Sequence, residues 1–151
     1  MTNSTPVLMQ WGLLQFQVWP LNYHELDHYS KTDWARKEIA GAAVYREWTG
    51  EGDEELHLRG KVFPLKLGGL EELEVMETMR RQGIAALMMR GGQGEGRSLG
   101  WYVCERLVRN HTFIDVEGFG KQISFEGLFA RVPIPSAYDE FPVLWSLLAP
   151  N

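Results

Sequence analysis

Apolar positions along this chain recur at two periods, and the clearest helical one runs through residues 69–82. Leu70, Leu73, Val75, Met76 and Met79 fall mostly three or four residues apart, which lays an apolar stripe along a helix while Glu71, Glu72, Glu74 and Glu77 face water. The charge order agrees with that reading. The glutamates lie toward the start, where the helix dipole is positive, and Arg80 and Arg81 close the last turn. Gly83 is the expected left-handed residue past the end, and Gly68-Gly69 frees the chain before the first turn. No other window offers a comparable helix.

Elsewhere the period is near two. Leu8 to Val18 reads as one strand with two lapses, closed by Pro20, which cannot continue a central ladder. Tyr23 to Ile39 is charged and aromatic with no sustained period; the reading is two strand-like pieces around an exposed excursion from Ser30 to Lys37, with a helix as the rival. Ala42 to Trp48 is a strand that enters a glycine-rich turn at Thr49 to Asp53. Leu56 to Phe63 returns from that turn as its hairpin partner, with Leu56, Leu58 and Val62 on one side and His57, Arg59 and Lys61 on the other. After the helix, Ile84 to Met89 is a short apolar run expected to be covered on both faces. Arg90 to Gly100 holds five glycines in eleven residues and reads as a hairpin loop. Trp101 to Val108 is a strand, Arg109-Asn110 a turn or bulge, and His111 to Val116 a continuation or a partner. A turn at Glu117 to Gly120 leads to Lys121 to Phe129, which alternates cleanly.

Many strands, one helix and short glycine turns leave room for only one crossover connection. The expected fold is therefore α+β and mainly antiparallel, a β-barrel or sandwich with one flanking helix, formed by a single domain over residues 1–132. The last stretch changes character. Pro133, Pro135 and Pro142 preclude a regular element, while Phe141, Val143, Leu144, Trp145, Leu147 and Leu148 are strongly apolar. Residues 133–151 are thus expected to be a proline-rich extension that either packs back on its own domain or docks on a neighbour, the second being favoured because a segment set off by three prolines behaves as an arm.

Composition narrows the function classes. With 151 residues the chain can bury a core without metals or disulfides, and a lone cysteine, Cys104, has no internal partner; its strand context makes it inert packing. The start lacks the basic and apolar regions of a secretory signal, and no window approaches 18 apolar residues, so a soluble protein with no membrane partner is expected. A net charge of −5 disfavours a role coating nucleic acid. Six Trp, five Tyr and seven Phe either anchor interfaces or fill a β core, and the sequence leaves both open.

Candidate chemistry is sparse. His24, Glu25, Leu26, Asp27 and His28 spell the five-residue HExxH pattern of zinc hydrolases, but that chemistry needs a helix to put both imidazoles on one face and a third ligand downstream. Pro20 and the missing helical period argue against it, and polar surface histidines explain the pair better. The glycines at 91, 92, 94 and 96 fit no phosphate-loop register and precede a strand where a helix N-terminus is needed. No serine sits in a nucleophile elbow, and Asp53, Glu54 and Glu55 read as a solvated turn. No catalytic residue, cofactor or metal site is assigned; a small-molecule-binding barrel would need a large internal apolar pocket.

The order of the segments is more specific than any one of them. LMQWGLLQFQV, YHELDHYSKTDWARKEI, REWTGEGDEELHLRGKVFP, GGLEELEVMETMRRQG, RGGQGEGRSLGWYVCERLVRN and GFGKQISFEGLFARV, in that order, closely resemble the GpU family of tail proteins from contractile-tailed temperate phages. The resemblance spans residues 8–132 and departs from Pro133 onward. It implies a non-enzymatic virion tail component, assembled in the host bacterial cytoplasm, with a tail-tube-like β fold. The implied role is a ring-forming adaptor, expected to be a hexamer, between the tail tube protein and the baseplate hub with its neighbouring baseplate proteins. A terminator ring at the head-proximal end is the alternative, and a zinc hydrolase using His24 and His28 the alternative from another class. On that reading Tyr29, Trp34, Arg36, Trp48 and Trp145 are the expected subunit-interface residues, with the aromatic anchors on a projecting hairpin reaching the next copy.

Overall fold

The computed structural model describes residues 7–17, 21–91, 97–118 and 120–133. Seven strands and two helices follow one another as β1 (Val7–Trp11), β2 (Leu14–Gln17), β3 (Asn22–Lys37), β4 (Tyr45–Val62), α1 (Pro64–Leu67), α2 (Leu70–Gln82), β5 (Ala86–Arg90), β6 (Arg97–Ile114) and β7 (Gly120–Arg131). The strands form one antiparallel sheet in the order β2-β1-β5-β6-β7-β4-β3.

The sheet has to curl. Its two edges, β2 and β3, are consecutive in the chain, and Gln17 and Asn22 are five residue steps apart, at most about 18 Å of extended chain. Laid flat, seven strands would hold those edges about 29 Å apart. The edges are not zipped together, however. One backbone bond, from Gln17 N to Leu21 O at 2.9 Å, is recorded between their ends, and no ladder joins β2 to β3 among the described residues. The expected closed barrel or two-sheet sandwich is therefore replaced by a single curled, open sheet.

The inner face of the curl is the core. Met9, Trp11, Phe16, Leu58, Tyr102 and Phe129 are fully buried there, each large apolar side chain worth about 1.5–3 kcal/mol when removed from water. Trp11 sits at its centre, its ring 4.9 Å from that of Phe129 in an edge-on contact, and its indole N–H donates to Tyr102 O at 3.0 Å. The alternation in β7 matches the sequence reading, with Ile123, Phe125 and Phe129 inward. Gly60 in β4 is demanded by this packing: a Cβ there would lie 1.9 Å from Asn22 O and 2.5 Å from the Phe125 ring.

Helix α2 packs on β6 and β2 through Leu73 and Met76, and ends as expected, with Gly83 at φ 64° and Ile84 N donating to Met79 O at 3.0 Å. Two expectations about it change. Val75 is half exposed, and Glu77, assigned to the wet face, is buried. It is tolerated because Arg80 Nη2 and Arg81 Nε donate to it at 2.6 and 3.0 Å. The Arg80 hydrogen bond chiefly, against the cost of burial and with help from Arg81, holds the Glu77 carboxyl down at about 2.

Two further differences come from breaks in strand alternation, and the rest from element boundaries. Residues 7–17 are a tight hairpin, because the inward residues switch from Met9 and Trp11 to Leu14 and Phe16 across Gly12 (φ 60°) and Leu13. The glycine-rich stretch Thr49 to Asp53 is no turn but the middle of β4, whose partner is β3. The single-turn helix α1, opened by Pro64 at a first-turn position, was absent from the sequence reading. His111 to Ile114 continues β6, and β5 begins at Ala86 with only alternate residues fully buried.

Replacing Gly60 by Ala should cost about 3 kcal/mol of stability in urea unfolding, since the colliding partner is backbone; an unchanged midpoint would refute the close approach. For Glu77→Gln the expected loss at pH 7 is about 1–2 kcal/mol, below the roughly 3 kcal/mol that linkage alone allows because Arg81 is largely exposed. A carboxyl depressed when folded stabilises fully above its unfolded value near 4.5 and loses that effect as pH falls toward 2. Wild-type and variant unfolding curves should therefore converge across that window.

Candidate interaction surface

Strand β4 leaves the sheet halfway along. Its pairing with β7 ends at Glu55↔Ala130, while its pairing with β3 goes on to Lys37↔Tyr45. Residues from Ser30 to Lys37 and from Tyr45 to Glu54 thus form a two-stranded arm that the rest of the sheet does not flank. Two register shifts, between Ser30 and Thr32 and between Asp33 and Trp34, each give β4 an extra residue, and such bulges increase local twist. The glycine that suggested a turn serves one of them: a Cβ on Gly52 would lie 3.0 Å from Lys31 O. At the second, Thr49 Oγ1 donates to Asp33 O at 2.9 Å.

Register decides what the arm displays. Trp34 lies opposite Trp48 and Arg36 opposite Arg46; directly opposed residues and their second neighbours share a face. That face presents a pair of tryptophans, 52% and 58% exposed, with a pair of arginines next to them along the ribbon. Arg36 Nη2 reaches Glu38 Oε1 at 3.3 Å, an exposed pair worth about 0–1 kcal/mol. The other face carries Ala35, Glu47, Lys37 and Tyr45 in register, with Lys37 bound to Glu47. Tyr29 stands at the base of the arm beside His57, ring centroids 5.0 Å apart, and its partner Glu55 puts it out of phase with Trp34. Of the five expected interface residues the structure gathers Trp34, Arg36 and Trp48 on one face and sets Tyr29 apart; Trp145 lies outside the described residues.

The base of the arm is tied to the sheet by charge. Glu54 accepts from Arg131 Nη1 at 2.6 Å and meets His28 Nε2 at 2.5 Å. Burial alone would raise the Glu54 carboxyl, but the Arg131 and His28 hydrogen bonds outweigh it and hold the pKa below its ordinary value. Tyr102 points its buried hydroxyl toward this site without a hydrogen bond inside 3.5 Å; burial, then the Glu54 charge, pushes it up to about 12. Arg131 is the last residue of β7, so the clamp sits where the arm loses its third strand.

At the other end of β4 a groove of about 540 Å³ opens between the α1–α2 junction and the β6–β7 turn. Leu65, Leu67, Glu71 and Glu72 line one wall, Asp115 and Glu117 the other. Phe113 and Ile114 at the end of β6 and Val116 in the turn are also exposed, and Phe113 holds a left-handed φ of 54°, which a bulky residue rarely adopts. Sequence reasoning missed this end, because the carboxylates read as solvated faces and the groove joins segments 45 residues apart.

The HExxH histidines sit on strand β3, not on a helix. Four residues along a strand separate their backbones by about 13 Å, too far to share one ion, and among the described residues no group of three potential metal ligands forms. Cys104 is buried, and burial pushes its thiol up to about 11, so it is poorly nucleophilic at neutral pH. No described helix is long and apolar enough to cross a membrane.

Comparisons with solved structures show the same fold in tail proteins. The Dit protein (gp 19.1) of phage SPP1, from the hub adsorption apparatus of phages infecting Gram-positive bacteria, aligns with a TM-score of 0.57 at 12% identity over 82% of this chain. The present chain spans 49% of Dit. A chain in the tail of an empty GTA particle, solved with C6 symmetry, gives 0.56 at 9% identity over 84% of this chain and 91% of its own. One in the virion of a native gene transfer agent gives 0.53 at 12% identity over 88% and 95%. No curated protein sequence matches. The Phage P2 GpU family profile, by contrast, matches residues 12–132, which covers every described element except β1, and the chain belongs to that family of phage tail proteins.

Proposed function

We propose that the protein is a structural subunit of a phage tail or tail-derived particle that works by self-association into a ring, as an adaptor between the tail tube and the baseplate hub. The observation that carries this reading is the arm: a two-stranded ribbon with two half-exposed tryptophans and two arginines on one face, beyond the support of its own sheet. Isolated two-stranded hairpins are marginal in water, and aromatic and arginine side chains are the usual anchors of protein contacts. The arm therefore has both the composition of an interface and a need for one. Family membership supports a tail role, the likeness to Dit supports a position near the hub, and the C6 symmetry of the GTA tail supports six copies.

In such a ring each copy presents one surface and receives another, so the contact is heterologous and closes by rotation. The partners are then copies of this chain, the tail tube protein and the baseplate hub, and the site is the virion tail, with assembly in the host cytoplasm. An acidic surface also suits a channel through which DNA passes without adhering. No bond-making step is assigned to the chain.

The wild-type chain should run in light scattering as a closed multiple of 17.3 kDa. Combining Trp34→Ala, Arg36→Ala and Trp48→Ala should return it to monomer while the thermal midpoint moves by no more than a few degrees, because these side chains contribute little to the core. Oligomers that persist in the triple variant, or a wild type that stays monomeric at every concentration, would sink the reading.

A further inference from the structure

The arm face and the groove complement each other and cannot meet within one molecule. Trp48 lies toward one end of β4 and Pro64 just past the other, and the intervening strand with its two bulges separates them by roughly 45 Å. Any contact between these surfaces joins two copies head to tail. Building on the ring reading above, we propose that the Trp34–Trp48–Arg36–Arg46 face of one copy seats in the acidic, leucine-edged groove between α1–α2 and the β6–β7 turn of the next.

Charge is the first support. The arm holds Arg36 and Arg46 directly opposite each other, an unfavourable arrangement that the exposed Arg36–Glu38 pair relieves only weakly and that further carboxylates would offset. The groove supplies Glu71 and Glu72 from the first turn of α2, and Asp115 and Glu117 from the facing turn. Arginine recognises carboxylates in a planar, bidentate geometry that lysine does not match, and both cationic positions on this face are arginine.

The apolar parts agree with the polar ones. Leu65 and Leu67 are 67% and 41% exposed at the rim of the groove, on a helix of one turn that buries none of its residues. An indole laid across them would remove apolar surface from both copies, and desolvation strengthens the adjacent ion pairs. Phe113 stores backbone strain on the wall that carries Asp115, where no packing inside the copy accounts for it, since its side chain is 75% exposed. Aromatics and arginines on the arm thus face leucines and carboxylates in the groove, a pairing that a single surface meeting itself would not give.

Two reversals and their mixture test this. One variant carries Arg36→Glu and Arg46→Glu; the other carries Glu71→Lys and Glu72→Lys, with Glu117→Lys on the facing wall as a substitute should the helix variant lose its fold by circular dichroism. Each variant alone is expected to give the 17.3 kDa monomer in light scattering, and an equimolar mixture should restore the wild-type mass, because every reversed arm then finds a reversed groove and every native arm a native one. If the arm variant is monomeric while both groove variants assemble, the groove assignment is wrong and the arm reading stands. If the arm variant assembles as well, both are wrong. Monomers that stay monomers on mixing overturn the pairing of the two surfaces.

Discussion

One strand belongs to two structures, and the rest of the molecule is arranged around that fact. Between Glu55 and Lys61, β4 has a neighbour on each side. From Tyr45 to Glu54 it has one. Every backbone donor and acceptor on its far edge there must find water or another chain, and an unpaired edge is a template for pairing that proteins normally blunt. Here the blunting is incomplete: two bulges twist the ribbon, charged residues line it, and yet two tryptophans stay half exposed. The clamp of Glu54, Arg131 and His28 sits at the changeover, as it must if the free half is to leave the sheet in a fixed direction.

The curl of the sheet and the direction of the arm follow from the same connectivity. Because β2 and β3 are joined by a short link, the sheet rolls around Trp11, Phe16 and Phe129 and brings β3 to its edge. An edge strand is the one place from which a long hairpin can project without breaking a central ladder. Gly60 lets β4 pass close to the backbone of Asn22 in β3 and to the Phe125 ring. The likeness to the Dit and GTA chains at 9–12% identity is intelligible in these terms: a rolled antiparallel sheet with one covering helix can be specified by alternation and a few glycines, with nearly every other residue free to change.

Much of this was readable from the chain alone, and the exceptions have a physical pattern. Helix α2 announced itself by period, dipole order and Gly83, and β7 by unbroken alternation. The arm was read correctly as exposed around Ser30 to Lys37, yet its second strand was cut in two, because Gly50 and Gly52 signal turns and bulges alike and only the partner strand tells them apart. The β1–β2 hairpin was hidden for a related reason: a two-residue turn shifts the phase of alternation by one step, which resembles a lapse. Glu77 shows the limit of binary patterning, since a carboxylate with two arginines one turn on can be buried, and polarity alone does not reveal it. The residues of the proposed interface are legible as types and not as a surface. Trp34 and Arg36 come from the family resemblance and their residue chemistry, whereas Arg46 enters only through register and the groove through tertiary proximity.

The asymmetry between the two ends of β4 is what makes assembly of defined geometry attainable. A molecule with one sticky end would pair with itself by a two-fold axis and stop; one with unlike ends keeps adding copies until rotation closes the ring or translation extends a stack. On the proposed arm-to-groove contact, which of the two follows would depend on the angle at which the arm leaves the sheet, and the residues placed to fix that angle are Glu54, Arg131 and His28 at the changeover together with the two bulges. Specificity and curvature would then be carried by different residues of the same hairpin, the tip through Trp34, Trp48, Arg36 and Arg46 and the base through the clamp.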